Sequence, residues 1–100
     1  MEHINETITL TGNTGLMVDI SRIVYADEQA AEEKSRPRWM TNSFTKETLA
    51  KRFALDEYGI LTFTEDDLET YLREWLETTV NVPVKSFRWV WDKFYDFKAA

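Results

Sequence analysis

The sequence predicts a small single domain of the α+β class, with an N-terminal β-hairpin, three to four helices and a helical C-terminal half. Two patterns support this fold class. Near the N-terminus, polar and β-branched residues alternate as in a half-buried strand. From residue 44 onward, apolar residues recur at the helical spacing of three and four. One hundred residues fit one domain, so we expect residues 1–100 to fold together.

The N-terminal quarter predicts two strands around a turn. Residues 7–10 alternate polar and apolar side chains, and residues 12–15 form a Gly-Asn-Thr-Gly turn cluster. Residues 16–25 fit either a strand or a helix, because their apolar residues satisfy both periods. We favour a strand that gives way to a helix near Ala26. Residues 1–5 are expected to be a flexible polar lead.

The next two helices are predicted from composition and from a cap. Residues 27–34 are rich in Ala, Glu and Gln, which favour helix, and the helix should stop before Pro37. Residues 35–38 are therefore predicted to be a loop. Thr45 is the expected N-cap of the following helix, which should fade near Asp56.

The strongest local signal is an amphipathic helix within residues 63–80, which follows a short strand predicted at residues 60–63. Thr64 is the expected N-cap, and Asp67 stands where a capping box places its acidic partner. The apolar stripe consists of Leu68, Tyr71, Leu72, Trp75, Leu76 and Val80. We expect this stripe to pack in the core, with Phe53, Trp91 and Phe94 from other segments.

A last helix is predicted from Ser86 toward Phe97, after the extended segment around Pro83. At the helical period, one face carries Phe87, Val90, Trp91 and Phe94. Trp89 projects to the opposite side beside charged residues, so we expect it to be exposed. The alternative is a core tryptophan, packed under the loop at residues 36–39 or against the hairpin.

Composition and charge limit the class of protein. The absence of cysteine excludes disulfides and thiolate metal sites and disfavours a small secreted scaffold. No apolar run approaches the roughly 20 residues of a membrane helix, and the N-terminus lacks a signal-peptide pattern. We therefore expect a cytoplasmic protein with no membrane partner. The formal net charge of −6 disfavours phosphate binding and favours a protein partner with a basic surface.

The sequence does not predict an enzyme. His3 is the sole histidine and belongs to the expected lead, so a histidine-based catalytic or metal site lacks its residues. The carboxylates map to outward helix faces, whereas glycoside chemistry needs two of them across a cleft. We predict no catalytic residue, no metal site and no cofactor.

The predicted function is non-catalytic protein binding, as a small acidic inhibitor or accessory protein. The predicted partner-binding residues are an exposed tryptophan and the acidic face of the central helix, namely Trp89, Asp66, Glu69, Glu74 and Glu77. The alternative is a nucleic-acid-binding regulator, because residues 45–63 resemble a helix-turn-helix motif. Asp56 and Glu57 disfavour this alternative, since they open the would-be recognition helix and would face phosphates. A homodimer is left open.

Overall fold

A computed structural model describes residues 6–95, so the lead expected at residues 1–5 lies outside the described residues. Helices and strands are mixed along this part of the chain. The elements are β1 (Thr7–Leu10), β2 (Thr14–Tyr25), α1 (Glu28–Glu33), β3 (Met40–Phe44), α2 (Lys46–Leu49), β4 (Leu61–Thr64), α3 (Glu65–Val80) and β5 (Val84–Tyr95). The α+β class fits this arrangement, although its details differ from the prediction.

The strands form two antiparallel sheets, one of β1 and β4 and one in the order β3-β2-β5. The predicted N-terminal hairpin is wrong, because β1 and β2 do not pair with each other. The turn itself is present, and the backbone N–H of Thr14 donates to the carbonyl of Thr11 at 3.2 Å. Both edges of β2 are occupied, one by β3 and the other by β5, so β1 pairs instead with β4. The short strand predicted at residues 60–63 corresponds to β4.

The prediction of a helical C-terminal half is also wrong, because the segment expected to form the last helix is strand β5. In its pairing with β2, Trp91 lies opposite Val18 and Trp89 lies opposite Ile20. Opposed residues of antiparallel strands point to the same face, so both tryptophans share the inner face with buried β2 side chains. Residues 96–97 of the predicted helix lie outside the described residues.

The open choice at residues 16–25 is resolved as a strand that precedes a helix, as we favoured. Leu16, Val18 and Ile20 alternate with more exposed neighbours and are fully buried. α1 then begins after Asp27, whose side chain accepts a hydrogen bond from a backbone N–H of its first turn. Residues 35–38 form no helix or strand, which confirms the predicted loop.

The helix predicted from Thr45 begins where expected but is much shorter. The Thr45 side chain caps it, yet α2 ends at Leu49, well before Asp56. The Asp56 carboxylate accepts hydrogen bonds from two backbone N–H groups within residues 58–60, and Gly59 adopts a φ of +75°. Such side-chain bonds compete with helix, so the chain turns here and enters β4.

The amphipathic helix predicted within residues 63–80 is confirmed as α3. Thr64 Oγ1 accepts from the Asp67 N–H at 3.1 Å, and Asp67 Oδ2 accepts from the Thr64 N–H at 3.4 Å. These two bonds form the predicted capping box. Leu68, Leu72 and Leu76 are fully buried, and each such burial contributes about 1.5–3 kcal/mol.

The hydrophobic core joins α3 to both sheets. Its buried members include Ile8, Leu10, Leu16, Val18, Ile20, Phe44, Leu61, Phe63, Leu68, Leu72, Leu76 and Trp89. The predicted core residues Phe53, Trp75 and Trp91 are half-buried and pack against this cluster. Phe94 was expected there as well, but it lies opposite Gly15 of β2. Its ring fills the space of the missing side chain, since a Cβ on Gly15 would be 2.6 Å from two ring atoms.

Candidate functional site

Trp89 is buried, so the predicted exposed interface tryptophan is wrong at this position. Its side chain is 4% exposed, and its indole Nε1 donates to Glu69 Oε1 at 2.9 Å. The alternation of a strand places Trp89 on the inner face, whereas the helical spacing predicted that it would face outward. The alternative of a core tryptophan therefore describes Trp89. Trp39 is the exposed one, with 62% of its surface accessible to solvent.

The acidic residues predicted to bind a partner have different surroundings along α3. Both oxygens of Glu74 accept hydrogen bonds from the Arg52 guanidinium, at 2.9 and 3.0 Å, and these bonds lower the pKa of Glu74. Glu77 accepts from a backbone N–H of β5 at 2.7 Å, and Glu69 accepts from an indole. Asp66 is exposed in the first turn of α3. α3 therefore does not present these four carboxylates as one open acidic face.

The helix-turn-helix interpretation lacks its second helix. Residues 56–63 were to form the recognition helix, but they form a turn followed by most of β4. α2, which would be the first helix, has a single turn. The described chain therefore offers no recognition helix for the major groove at this position.

The three-stranded sheet has one face covered by α3 and one face exposed to solvent. The register places Met17, Asp19, Thr41, Arg88, Val90 and Asp92 on the exposed side, which we call the outer sheet face. All six are exposed, with values of 39% for Met17 and 60% for Val90. Met17 and Val90 are diagonal neighbours, because Val90 stands two residues from Asp92, the partner of Met17. The outer sheet face thus has an apolar centre and charged surroundings.

Trp39 borders the outer sheet face. It immediately precedes β3, whose first residue, Met40, is the register partner of Ile20. Continuing this register by one residue places Trp39 in the row of Ser21, which is itself paired with Arg88 of β5. The exposed tryptophan and the arginine therefore stand at the same end of the sheet.

A β-bulge interrupts β2 at this end. The register between β2 and β5 shifts after Ser21, so β2 has one residue more than β5 over this interval. Arg22 lies within the bulge and adopts a left-handed backbone conformation with a φ of +51°. Strict alternation after Ile20 would turn Arg22 toward the core, but the bulge leaves Arg22 exposed and buries Ile23 instead. The bulge therefore keeps a charged side chain at the surface.

A pocket of about 350 Å³ lies at the bulge, and we call it the bulge pocket. Its lining residues are Ser21, Arg22, Glu69, Phe87, Arg88, Trp89 and Val90. Among the described residues, neither the Arg22 nor the Arg88 guanidinium makes an ion pair, whereas those of Arg38 and Arg52 do. Two guanidiniums on one pocket can bind an anionic group through paired N–H donors.

Other kinds of site find less support in the described chain. Within residues 6–95, no three His, Asp or Glu side chains are grouped so that they could hold a metal ion. None of the helices in that range is long and apolar enough to cross a membrane.

No protein-family model, curated protein or solved structure matches the chain. The geometry of the outer sheet face and the bulge pocket therefore carries the functional interpretation. Sequence reasoning did not single out Trp39, Arg22 or Arg88. One signal for the bulge was available, because strict alternation after Leu16, Val18 and Ile20 would turn the charged Arg22 inward.

Proposed function

We propose that the protein is a non-catalytic protein-binding domain that contacts its partner through the outer sheet face, with Trp39 as an anchor. The observation that carries this proposal is the exposure of Trp39, at 62%, on the border of that face. Tryptophan is over-represented among residues that dominate binding energy. Covering its apolar surface on binding contributes about 25 cal/mol for each Å² removed from water.

The composition of the outer sheet face supports the same proposal. Met17 and Val90 form its apolar centre, while Asp19, Arg88 and Asp92 stand around them. An apolar centre within a polar rim is the usual anatomy of a protein interface. α3 packs on the opposite face, so a partner has access to this sheet from the outer side.

The partner is a different protein with a basic surface. The formal net charge of −6 supports this choice, because two copies of an acidic chain repel each other at low salt. The acidic residues of α3 stay a second prediction, in which Asp66, Glu69, Glu74 and Glu77 bind a basic protein on the side opposite the outer sheet face. Binding that weakens at high salt would support their part in it.

Affinity capture with matched variants tests the proposal. The immobilised protein is incubated with lysate of the source organism, and the captured proteins are quantified by mass spectrometry. We expect a partner that wild type captures and that Trp39→Ala and Val90→Asp lose. Tyr58→Ala is the control, because Tyr58 is 79% exposed but lies in the turn before β4. Equal capture by wild type, Trp39→Ala and Val90→Asp would exclude the outer sheet face as the binding surface.

A further inference from the structure

We infer that the bulge pocket binds a carboxylate carried by the partner protein, an inference that rests on the protein-binding function proposed above. The pocket adjoins the outer sheet face, because Arg88 and Val90 belong to both, while Glu69, Phe87 and Trp89 line it from the side of α3. A partner that covers Val90 therefore reaches the pocket as well. The partner residue that enters would be an aspartate or a glutamate.

The charge of the pocket points to an anionic ligand. Among the described residues, the Arg22 and Arg88 guanidiniums have no carboxylate partner, while one carboxylate, Glu69, lines the same pocket. The Glu69 carboxylate already accepts the indole N–H of Trp89 at 2.9 Å. Two guanidiniums and one carboxylate leave the pocket positive in a protein that is negative overall. An incoming carboxylate would accept charge-assisted hydrogen bonds from one or both arginines.

The backbone of the bulge fixes one of these two arginines at the pocket. Arg22 holds a φ of +51°, a conformation that residues other than glycine and asparagine adopt rarely. Such strained positions persist where the surrounding structure holds them, and they are common at binding sites. In this bulge Arg22 follows Ser21, which is the register partner of Arg88. Arg22 and Arg88 therefore line one pocket from adjacent strands.

The other lining residues favour a carboxylate over a phosphate. Phe87 and Val90 supply apolar surface that suits the methylene groups of an acidic side chain. Glu69 repels any anion in the pocket, and it repels a phosphate with nearly two negative charges more than a carboxylate with one. The monoanion is therefore the better match.

Small-molecule probes test the pocket directly. N-acetylglutamate N-methylamide is titrated into the isotopically labelled protein, with N-acetylglutamine N-methylamide and inorganic phosphate as comparison ligands, and binding is followed by NMR chemical shifts. We expect saturable shifts around residues 21–22 and 87–90 with the glutamate compound. Arg22→Gln and Arg88→Gln should each weaken this binding about fivefold, as expected for the loss of one partly exposed ion pair.

Lys93→Gln is the matched control, because it removes one positive charge from an exposed position on β5 outside the pocket. Gln at position 22 keeps a Cβ, so the backbone strain is unchanged, and thermal melting checks that each variant is folded. Equal binding of the glutamine compound, tighter binding of phosphate, or equal effects of Arg88→Gln and Lys93→Gln would overturn the inference.

Partner capture then separates this inference from the proposed function. If Trp39→Ala abolishes capture while Arg22→Gln and Arg88→Gln leave it unchanged, protein binding stands and the carboxylate site is refuted. If none of these variants changes capture, the proposed function fails, and the inference fails with it even where the glutamate compound binds. Loss of capture in all three variants supports both.

Discussion

Trp89 illustrates how a single side chain is fixed at the contact between a sheet and a helix. It is buried beside Ile20 in the register of β2 and β5, and its indole N–H is satisfied by Glu69 of α3. A buried indole without such a partner would lose a hydrogen bond to water without replacement. The hydrogen bond to Glu69 therefore offsets the free-energy cost of removing the Trp89 indole N–H from water.

We predict that Trp89→Ala lowers the free energy of unfolding by about 3–5 kcal/mol, because it leaves a cavity and removes the hydrogen bond to Glu69. Trp39→Ala should change the same quantity by less than about 0.5 kcal/mol, because Trp39 is exposed. Urea denaturation followed by far-UV circular dichroism measures both values. Similar losses for the two variants would contradict the assignment of their surroundings.

At the scale of single residues, sequence reasoning succeeded where the determining contacts are local. Thr64 and Asp67 satisfy each other within one helical turn, so their types and spacing were enough to predict the capping box. Trp89 depends on Ile20 and Glu69, which are distant in sequence. Nothing in its immediate neighbours identifies those partners.

At the scale of elements, β5 shows how two periods can compete in one segment. Phe87, Val90 and Trp91 fit the helical spacing, but Phe87, Trp89 and Trp91 also alternate as in a strand. The helical interpretation left Trp89 on the wrong side, whereas the strand period places all three aromatic residues on the inner face. A helix would expose Trp89 beside charged residues. This unfavourable placement, together with the aromatic and β-branched composition, was the available signal for a strand.

A charged contact at Glu28 helps to hold α1 against the sheet. Glu28 Oε2 accepts from the Tyr25 N–H at 2.6 Å and from Arg38 Nη1 at 3.0 Å, and the Arg38 guanidinium lies over the Tyr25 ring. The hydrogen bonds from Arg38 and from the Tyr25 N–H lower the pKa of Glu28 from 4.5 to about 2. The contact therefore links α1 to the end of β2 and to the loop that precedes β3.

We predict that Glu28→Gln removes a pH-dependent part of the stability. Because the folded pKa of Glu28 is lowered, its contribution is fully present above pH 4.5 and is lost as the pH falls toward about 2. Urea denaturation of wild type and Glu28→Gln between pH 2 and 7 should therefore give curves that converge below about pH 4.5. Glu33→Gln is the control on the same helix. A constant difference between wild type and Glu28→Gln at all pH values would contradict this assignment.

At the scale of the whole molecule, the core has contributions from both sheets. Ile8 of β1 and Leu61 of β4 belong to the same buried cluster as Val18 of β2 and Leu72 of α3. A shared core couples the two sheets, because separating them would expose apolar surface on each. That all of residues 1–100 form one domain stays a prediction.

We predict that the two sheets unfold together. Tryptophan fluorescence, to which buried Trp89 contributes, should give the same urea midpoint as far-UV circular dichroism. Slow hydrogen exchange in β1 and β4 should reach the same free energy of opening as in β2. Earlier loss of protection in β1 and β4 would mean that the small sheet is a separate unit.

The sequence supported the general α+β class, but it did not predict strand β5 of the C-terminal half or the strand order. The β-branched N-terminal segments and the capped helices could be located, because their periods and caps are local properties. The pairing of β1 with β4, and of β2 with β3 and β5, depends on which edges remain available after the core has formed. For the same reason, the outer sheet face and the bulge pocket could not be found from the sequence, since they need two strands in register.

The pairing of β2 with β5 also determines when this protein can fold during synthesis. These strands are separated by more than half of the chain, yet β5 completes one edge of the central strand. A chain still emerging from the ribosome has made β2 long before β5, so one edge of β2 is unpaired and the core lacks Trp89 in the meantime. Closing so long a loop is slow compared with local helix formation. Nascent chains that stop before Val84 should therefore engage chaperones that recognise exposed apolar strands.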